Sequence, residues 1–203
     1  MTNHIIFEPM AASHAKEIAL IHIQGIGTGF ISSLGPGFVT ELYEAIAKDS
    51  NSFGFVAIED GKALGFIALS TNLGKLYKYV ALKKGFKFGL ILARRMLSFR
   101  VFKKVIDNIF YPIKMKKLDL PDAELLSIVV VPEARGKGIA KQLIEKHFEE
   151  CKKRGINRVK ALVRVENEAA NKLYLKCGFE LKKTIKSHGF LSNIYITQSK
   201  CST

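Results

Sequence analysis

The sequence predicts a mixed α/β fold. Two observations carry that reading. After Ala123 the chain runs strand, helix, strand, helix, strand in orderly succession, and before it an Asp60-Gly61 turn sits between two apolar runs.

Residues His4 to Glu8 read as a first strand. Ser13 is placed to cap a helix that carries Ile18, Ile21 and His22 toward its end. A glycine-rich link, Gly25 to Gly37, leads to a second helix from about Phe38 to Lys48, with Phe38, Leu42 and Ile46 on one stripe. Ser52 to Ile58 and Ala63 to Leu69 read as the two strands of a hairpin, because Asp-Gly tolerates the positive φ values such a turn requires.

Leu125 to Val131 (LLSIVVV) is short and rich in β-branched residues, which fits a central strand. Gly136 to Arg154 reads as a helix with Ala140, Leu143, Ile144, Phe148 and Cys151 facing inward, stopped by Gly155. Arg158 to Val163 is expected to be a strand, Asn167 to Lys176 a helix ended by Gly178, and Phe179 to Thr184 and Phe190 to Thr197 the last two strands.

The chain has 203 residues, of which 48% are apolar, enough for a packed core. Its first residues, MTNHIIFEPM, lack the basic start and long apolar run of a signal peptide. No stretch approaches the ~18 apolar residues of a spanning helix. Three cysteines, Cys151, Cys177 and Cys201, form no disulfide framework, so a reducing cytoplasm is expected. The histidines (His4, His14, His22, His147, His188) show no metal-ligand spacing, and surface or capping roles are expected for them.

One turn carries chemistry. Val131-Pro-Glu-Ala-Arg-Gly-Lys-Gly-Ile-Ala140 joins a strand to a helix and contains Arg-x-x-Gly-x-Ala through Arg135, Gly138 and Ala140. A helix start offers unpaired N–H groups and a positive dipole end, and both suit a pyrophosphate. Gly136 and Gly138 remove side chains that would keep the backbone away from it. Arg135 and Lys137 add charge at the rim. Pro132 and Glu133 do not fit a dinucleotide fingerprint, and no G-x-x-x-x-G-K-[ST] loop is present.

The stretch VVVPEARGKGIAKQLIE resembles motif A of the GNAT superfamily of N-acetyltransferases. Asn167-Glu-Ala-Ala-Asn-Lys-Leu-Tyr-Leu-Lys-Cys-Gly-Phe179 is similar to that family's motif B, N-x-x-A-x-x-L-Y-x-x-x-G-F. The two lie in family order across roughly Ala123 to Phe179. The resemblance implies a mixed, mostly antiparallel sheet whose two central strands splay apart, flanked by helices, with acetyl-CoA in the gap as co-substrate and no metal. It implies that the backbone of Gly136, Lys137, Gly138, Ile139 and Ala140 holds the pyrophosphate, with Arg135 beside it. The pantetheine arm would pair with the backbone of Val129, Val130 and Val131, and the backbone near Val131 would supply an oxyanion donor. Asn167 and Asn171 match ligand-contacting positions. Tyr174 matches the general acid toward the departing thiolate; its alternative is a helix residue packing on Phe179.

Glu124 is the candidate general base. It stands eleven residues before Arg135, the spacing of the catalytic glutamate in the family's histone-acetylating branch. Its alternative is a solvated charge at a strand end. Other branches place a glutamate on the next strand, where Leu162 stands here, and Asp119 and Asp122 are fallbacks. Cys177 has no evident His partner and reads as a packed small residue, so no covalent intermediate is expected.

The net charge is +14, and the segment from Lys75 to Lys117 holds thirteen Lys and Arg against one acid, Asp107, so +12 of it falls there. Within it Leu97, Val101, Val105 and Ile109 recur at helical spacing, opposite Arg94, Arg95, Lys103 and Lys104, until Pro112 and Pro121 interrupt. We expect a single acetyltransferase domain over residues 1–203 with this helical insertion at about 75–117. Its composition admits three uses: binding an anionic acceptor such as a nucleotide-activated amino sugar, peripheral contact with an anionic membrane, or an extra helical layer packed on the sheet or on a second subunit of a homodimer. Nucleic acid is disfavoured, because no helix-turn-helix, zinc spacing or RNA-binding aromatic pattern accompanies the charge. The stretch from Phe30 to Tyr43, followed by a basic apolar insertion, also resembles acetyltransferases associated with surface-polysaccharide building, which implies an amino-sugar acceptor.

The expected activity is therefore direct acetyl transfer to a primary amine of a small molecule. The alternative is a non-catalytic acyl-CoA-binding or membrane-docking module on the same fold, since a fold alone does not fix chemistry.

Overall fold

The structure, a computed structural model, describes residues 4–95, 119–187 and 190–198. A seven-stranded sheet forms its centre: β1 (Ile6–Pro9), β2 (Ser52–Glu59), β3 (Lys62–Ser70), β4 (Glu124–Val130), β5 (Arg158–Arg164), β6 (Glu180–Ser187) and β7 (Phe190–Gln198). Their spatial order is β1-β2-β3-β4-β5-β7-β6. Every neighbouring pair is antiparallel except β4 and β5, which run parallel. The mixed α/β expectation and the strand assignments hold, with ends shifted by a residue or a few.

The helices are α1 (Ala15–Gly25), the short α2 (Phe30–Ser33), α3 (Pro36–Lys48), α4 (Leu73–Arg95), α5 (Ile139–Lys153) and α6 (Glu168–Lys176). Helix α1 is not capped by Ser13. A 3-10 turn, Ala12–His14, precedes it, and the Ala11 N–H donates to His14 Nδ1 at 3.2 Å. The link from Gly25 to Gly37 is more ordered than its glycines imply: Ser32 Oγ donates to the Ile26 carbonyl and Ser33 Oγ to that of Phe30, both at 2.6 Å, around α2. Helix α3 starts at Pro36 rather than Phe38, with proline's fixed φ at the first helical position. Asp60 and Gly61 both take positive φ, 50° and 74°, and close the β2–β3 hairpin as expected.

The two faces of the sheet carry separate cores. Ile18, Ala19, Val39, Tyr43, Leu76 and Val129 pack under α1, α3 and α4 with Phe66 and Ala68. Ile67 and Leu69, the alternate residues of β3, point the other way and meet Leu143, Ile144, Cys151, Val159 and Phe179 under α5 and α6. Burying each such Leu or Ile fully is worth roughly 1.5–3 kcal/mol relative to exposure.

The inward stripe of α5 is Ile139, Leu143, His147 and Cys151, with Ile144 beside it; Ala140 and Phe148 are only partly covered. His147, expected at the surface, is wholly buried and stacked on Phe53 with ring centroids 5.3 Å apart. Four-residue spacing from Ile139 leads straight through it, so its apolar ring surface outweighs its polarity.

The first part of the insertion is helical and continues α4 from Leu73. It docks on α3: Phe88 packs on Phe38 with centroids 4.4 Å apart, and Lys84 and Lys87 pair with Glu41 and Glu44. Part of the basic segment is thus an extra helical layer in which Lys84 and Lys87 are paired with acids of α3, while Lys75, Lys78 and Lys83 are exposed. The periodic stretch around Leu97 to Ile109, and Pro112, lie outside the described residues.

Candidate active site

Strands β4 and β5 pair only at Glu124↔Lys160 and Leu125↔Ala161. Beyond those positions β4 stays bonded to β3 as far as Gly65↔Val130, while β5 stays bonded to β7. A wedge-shaped gap therefore opens in the middle of the sheet. A bulge in β4 sits where the gap begins, since Ala68 pairs with Ser127 and the next residue, Leu69, pairs with Leu125.

The gap has a defined polarity. The Val131 N–H donates to the Leu64 carbonyl at 2.9 Å, so it faces β3. Strand alternation turns the N–H and C=O of Val130 into the gap and those of Val129 toward β3. The Val131 N–H is thus taken by β3, and of the backbone near Val131 it is the Val130 N–H that faces the gap.

At the gap's outer end, Pro132–Ala134 form a 3-10 turn and Arg135 Nε donates to the Val130 carbonyl at 3.1 Å. Arg135 thus pins the turn to the end of β4. Gly136 and Gly138 take φ of 81° and 78°, a conformation that L side chains rarely adopt. A Cβ at Gly136 would meet nothing within 4 Å, and one at Gly138 only Gln142 Nε2, at 3.9 Å. Glycine serves here for conformation and an open approach, not for packing. Helix α5 begins at Ile139, three residues later than Gly136, because the left-handed Gly138 is its cap. The first intrahelical bond runs from the Gln142 N–H to the Gly138 carbonyl at 3.1 Å. The N–H groups of the helix's first turn precede that bond and are set to receive an anion. The open gap and this turn fit an extended, diphosphate-bearing molecule such as acetyl-CoA.

At the closed end, Glu124 is 7% exposed and pairs with Lys160, Nζ to Oε2 at 3.5 Å. Lys160 Nζ also donates to the carbonyls of Pro121 and Asp122. Glu124 is therefore a buried, ion-paired carboxylate and not a solvated strand end. Tyr77 of α4 lies near enough that the Glu124 charge, after burial, raises its phenol above the ordinary value. This brings the start of the insertion to the wall beside the candidate base.

Sequence reasoning missed Lys160 and Tyr77. The signal for Lys160 was available: Val159, Ala161 and Val163 alternate into one core, which puts a lysine on the other face of a central strand.

Tyr174 on α6 is buried, its ring 5.0 Å from Phe179 and 5.7 Å from Tyr195. Burial holds its hydroxyl well above the usual phenol range, so the proton stays on. The hydroxyl forms no hydrogen bond with another described residue.

Asn167 caps α6, its side-chain oxygen accepting from the Ala170 N–H at 3.2 Å. Asn171 is a staple. Its amide donates to the carbonyls of Arg164, Val165 and Asn167, and its oxygen accepts from Asn193 and from the Tyr195 hydroxyl. These bonds fix the β5–α6 link against β7 and commit the side chain to the protein.

His22, also expected at the surface, is buried on α1, its Nδ1 2.7 Å from the Tyr43 hydroxyl, and burial pushes its pKa down to about 4. A Cys–His contact does exist, but between Cys151 and His147 at 3.6 Å under α5. Burial pushes that thiol up to about 12 and that imidazole down to about 3, so the imidazole is too weak a base to take the thiol's proton. Cys177 is half-buried and its thiol is likewise raised by burial. Among the described residues no group of three or more His, Cys, Asp or Glu could hold a metal ion.

A split mixed sheet, an anion-receiving turn at its outer end and a buried carboxylate at its closed end define the acyl-CoA-dependent transferase class. The Acetyltransferase (GNAT) family model matches residues 27–179, well over half of the chain, and the chain belongs to that family. An uncharacterized N-acetyltransferase of Methanocaldococcus jannaschii is 45% identical over 64 residues, which span 32% of this chain and 28% of that protein. Among solved structures, the PaiA N-acetyltransferase of Thermoplasma acidophilum in complex with coenzyme A superposes with a TM-score of 0.61 at 16% identity, covering 96% of this chain and 99% of that one. The ribosomal-protein-alanine N-acetyltransferase of Escherichia coli gives 0.61 at 14% identity, covering 98% and 97%. At those identities the likeness is one of fold.

Proposed function

We propose that this chain transfers the acetyl group of acetyl-CoA directly to a primary amine of a small molecule. The observation that carries the proposal is the gap itself. It opens beyond Leu125, one residue past Glu124, and it is bounded at its far end by the turn of Gly136 to Ala140. The first-turn N–H groups and the dipole of α5 hold the pyrophosphate, and Val130 offers its backbone to the pantetheine arm. Asn167 and Asn171 act on the ligand through the loop they fix.

In the reaction a bond forms between the amine nitrogen and the acetyl carbon, and the thioester C–S bond breaks. Glu124, with the Lys160 ammonium beside it, takes the acceptor's ammonium proton through water. Tyr174, whose proton burial retains, donates to the departing sulfur.

For the acceptor we favour an amine that carries negative charge, a nucleotide-activated amino sugar being the first candidate, in keeping with the basic surplus between Lys75 and Lys117. We read residues 1–203 as one domain working in the cytoplasm. Among the described residues no helix is long and apolar enough to cross a membrane.

Calorimetric titration of acetyl-CoA into the wild type and Gly138→Glu tests the donor site. Micromolar binding that the variant loses supports it, and turnover is then sought on an amine panel beginning with nucleotide amino sugars. A folded wild type that does not bind acetyl-CoA overturns the proposal.

A further inference from the structure

Beyond Lys160, the face of β5 turned toward α1 and α3 continues with Leu162 and Arg164. Lys160 is balanced by Glu124. Arg164 stands at the strand's other end, half-buried, at the mouth of the gap. Its Nη1 lies 3.3 Å from Thr28 Oγ1 and its Nη2 3.4 Å from the Thr28 carbonyl, at the long limit for such bonds. Its guanidinium carbon sits 3.6 Å over the Phe190 ring. Thr28 belongs to the α1–α2 link and Phe190 opens β7, so one side chain bridges the two segments that frame the mouth. No carboxylate pairs with Arg164 among the described residues.

We propose that Arg164 is a specificity-determining residue that binds a carboxylate or phosphate group on the acceptor. This rests on the acetyltransferase reading and names the class of amine it prefers. Three features support it. The guanidinium is oriented by an aromatic platform and one neutral partner, which leaves its charge uncompensated and its remaining N–H donors unspent. The planar fork suits two-point binding of a carboxylate or phosphate. The bonds to Thr28 are long and neutral, so an anion displaces them at little cost.

The test compares matched acceptors, glucosamine with its 6-phosphate and 6-aminohexanol with 6-aminohexanoate, at saturating acetyl-CoA. The wild type is expected to favour the anionic member of each pair in kcat/KM by about 10- to 100-fold, the value of a charge-assisted hydrogen bond. Arg164→Ala should remove the preference through KM, leaving turnover of the neutral amines and the KM for acetyl-CoA unchanged. Arg164→Lys should restore part of it. Phe190→Leu, which keeps the charge but removes the platform, should weaken it without abolishing it. Turnover without an anionic preference, or a preference that survives Arg164→Ala, overturns this inference and leaves the acetyltransferase reading standing. Failure to acetylate any amine, despite acetyl-CoA binding, overturns both.

Discussion

Replacing Lys160 with methionine isolates the pair at the root of the gap. The two side chains are 6% and 10% exposed, so neither charge is well hydrated. Methionine keeps most of the volume of the lysine stem, which makes the cavity contribution small. What is lost is the cation beside Glu124 and the donor to the Pro121 and Asp122 carbonyls. Removing one partner of a buried ion pair costs ~3–5 kcal/mol, because the other charge stays buried without that counter-charge. Lys160→Met is therefore expected to lower the unfolding free energy by about 3 kcal/mol or more. The double variant Lys160→Met/Glu124→Leu should recover most of that loss, since an apolar pair of similar volume replaces an ionic one at little net cost. Urea unfolding followed by far-UV circular dichroism, extrapolated linearly, supplies the double-mutant cycle. A loss below about 1 kcal/mol, the value of exposed pairs, with additive single effects, would refute the assignment of Glu124 as a buried, cation-held carboxylate.

Tyr174→Phe should lower kcat by roughly 100-fold or more while acetyl-CoA binding and stability stay close to wild type, because the ring keeps its contacts with Phe179 and Tyr195; stopped assays beside calorimetry check this. His22 and His147 are held neutral by burial, their pKa values lowered to about 4 and about 3 from 6.5. The unfolded chain takes up those protons first, so the stability they carry is complete above pH 6.5 and declines as pH falls toward 4 and 3; thermal melts should show the midpoint dropping below pH 6.5, and less steeply in His147→Phe. Lys75, Lys78 and Lys83 are exposed on α4 beside Leu82, itself 74% exposed. If the insertion contacts membranes, vesicles containing phosphatidylserine should bind the full chain at low salt and release it at high salt, and Lys78→Glu/Lys83→Glu should weaken capture; no sedimentation with vesicles at any salt would remove that use of the insertion.

Local chemistry was legible in the sequence where it acts over a few residues. Asp60-Gly61 announced its hairpin because the turn demands positive φ, whereas Gly136 and Gly138 stood out for clearing side chains from the backbone, and their positive φ emerged only in the structure. Glu124 and Tyr174 are candidates through motif spacing. What escaped depends on distant pairing. Lys160 meets Glu124 only because β4 and β5 are parallel neighbours at that one point. His22 finds Tyr43, and Lys84 finds Glu41, only after three helices have packed on one face of the sheet. The phase of α5 was misjudged because His147 counts as polar in a periodicity reading, although a neutral, stacked imidazole behaves as an aromatic core residue. Arg135 was assigned to the rim by charge, and its bond to the Val130 carbonyl shows it serving the turn.

The parting of β4 from β5 makes this sheet two wings joined at a short seam. One wing is β1 to β4, and the other is β5, β7 and β6. Each wing presents an interior edge with backbone donors and acceptors that no strand among the described residues satisfies. Edges of that kind usually invite aggregation, and here they lie in the middle of the sheet, where a ligand's amide groups would pair with them. A pantetheine arm laid along Val130 would complete the sheet in the manner of an added strand, so the co-substrate becomes a structural element as well as a reactant. Rigidity on either side of the seam then depends on occupancy. The enzyme would be tightest when loaded, and each departure of coenzyme A would return the wings to a looser state in which the next donor can enter.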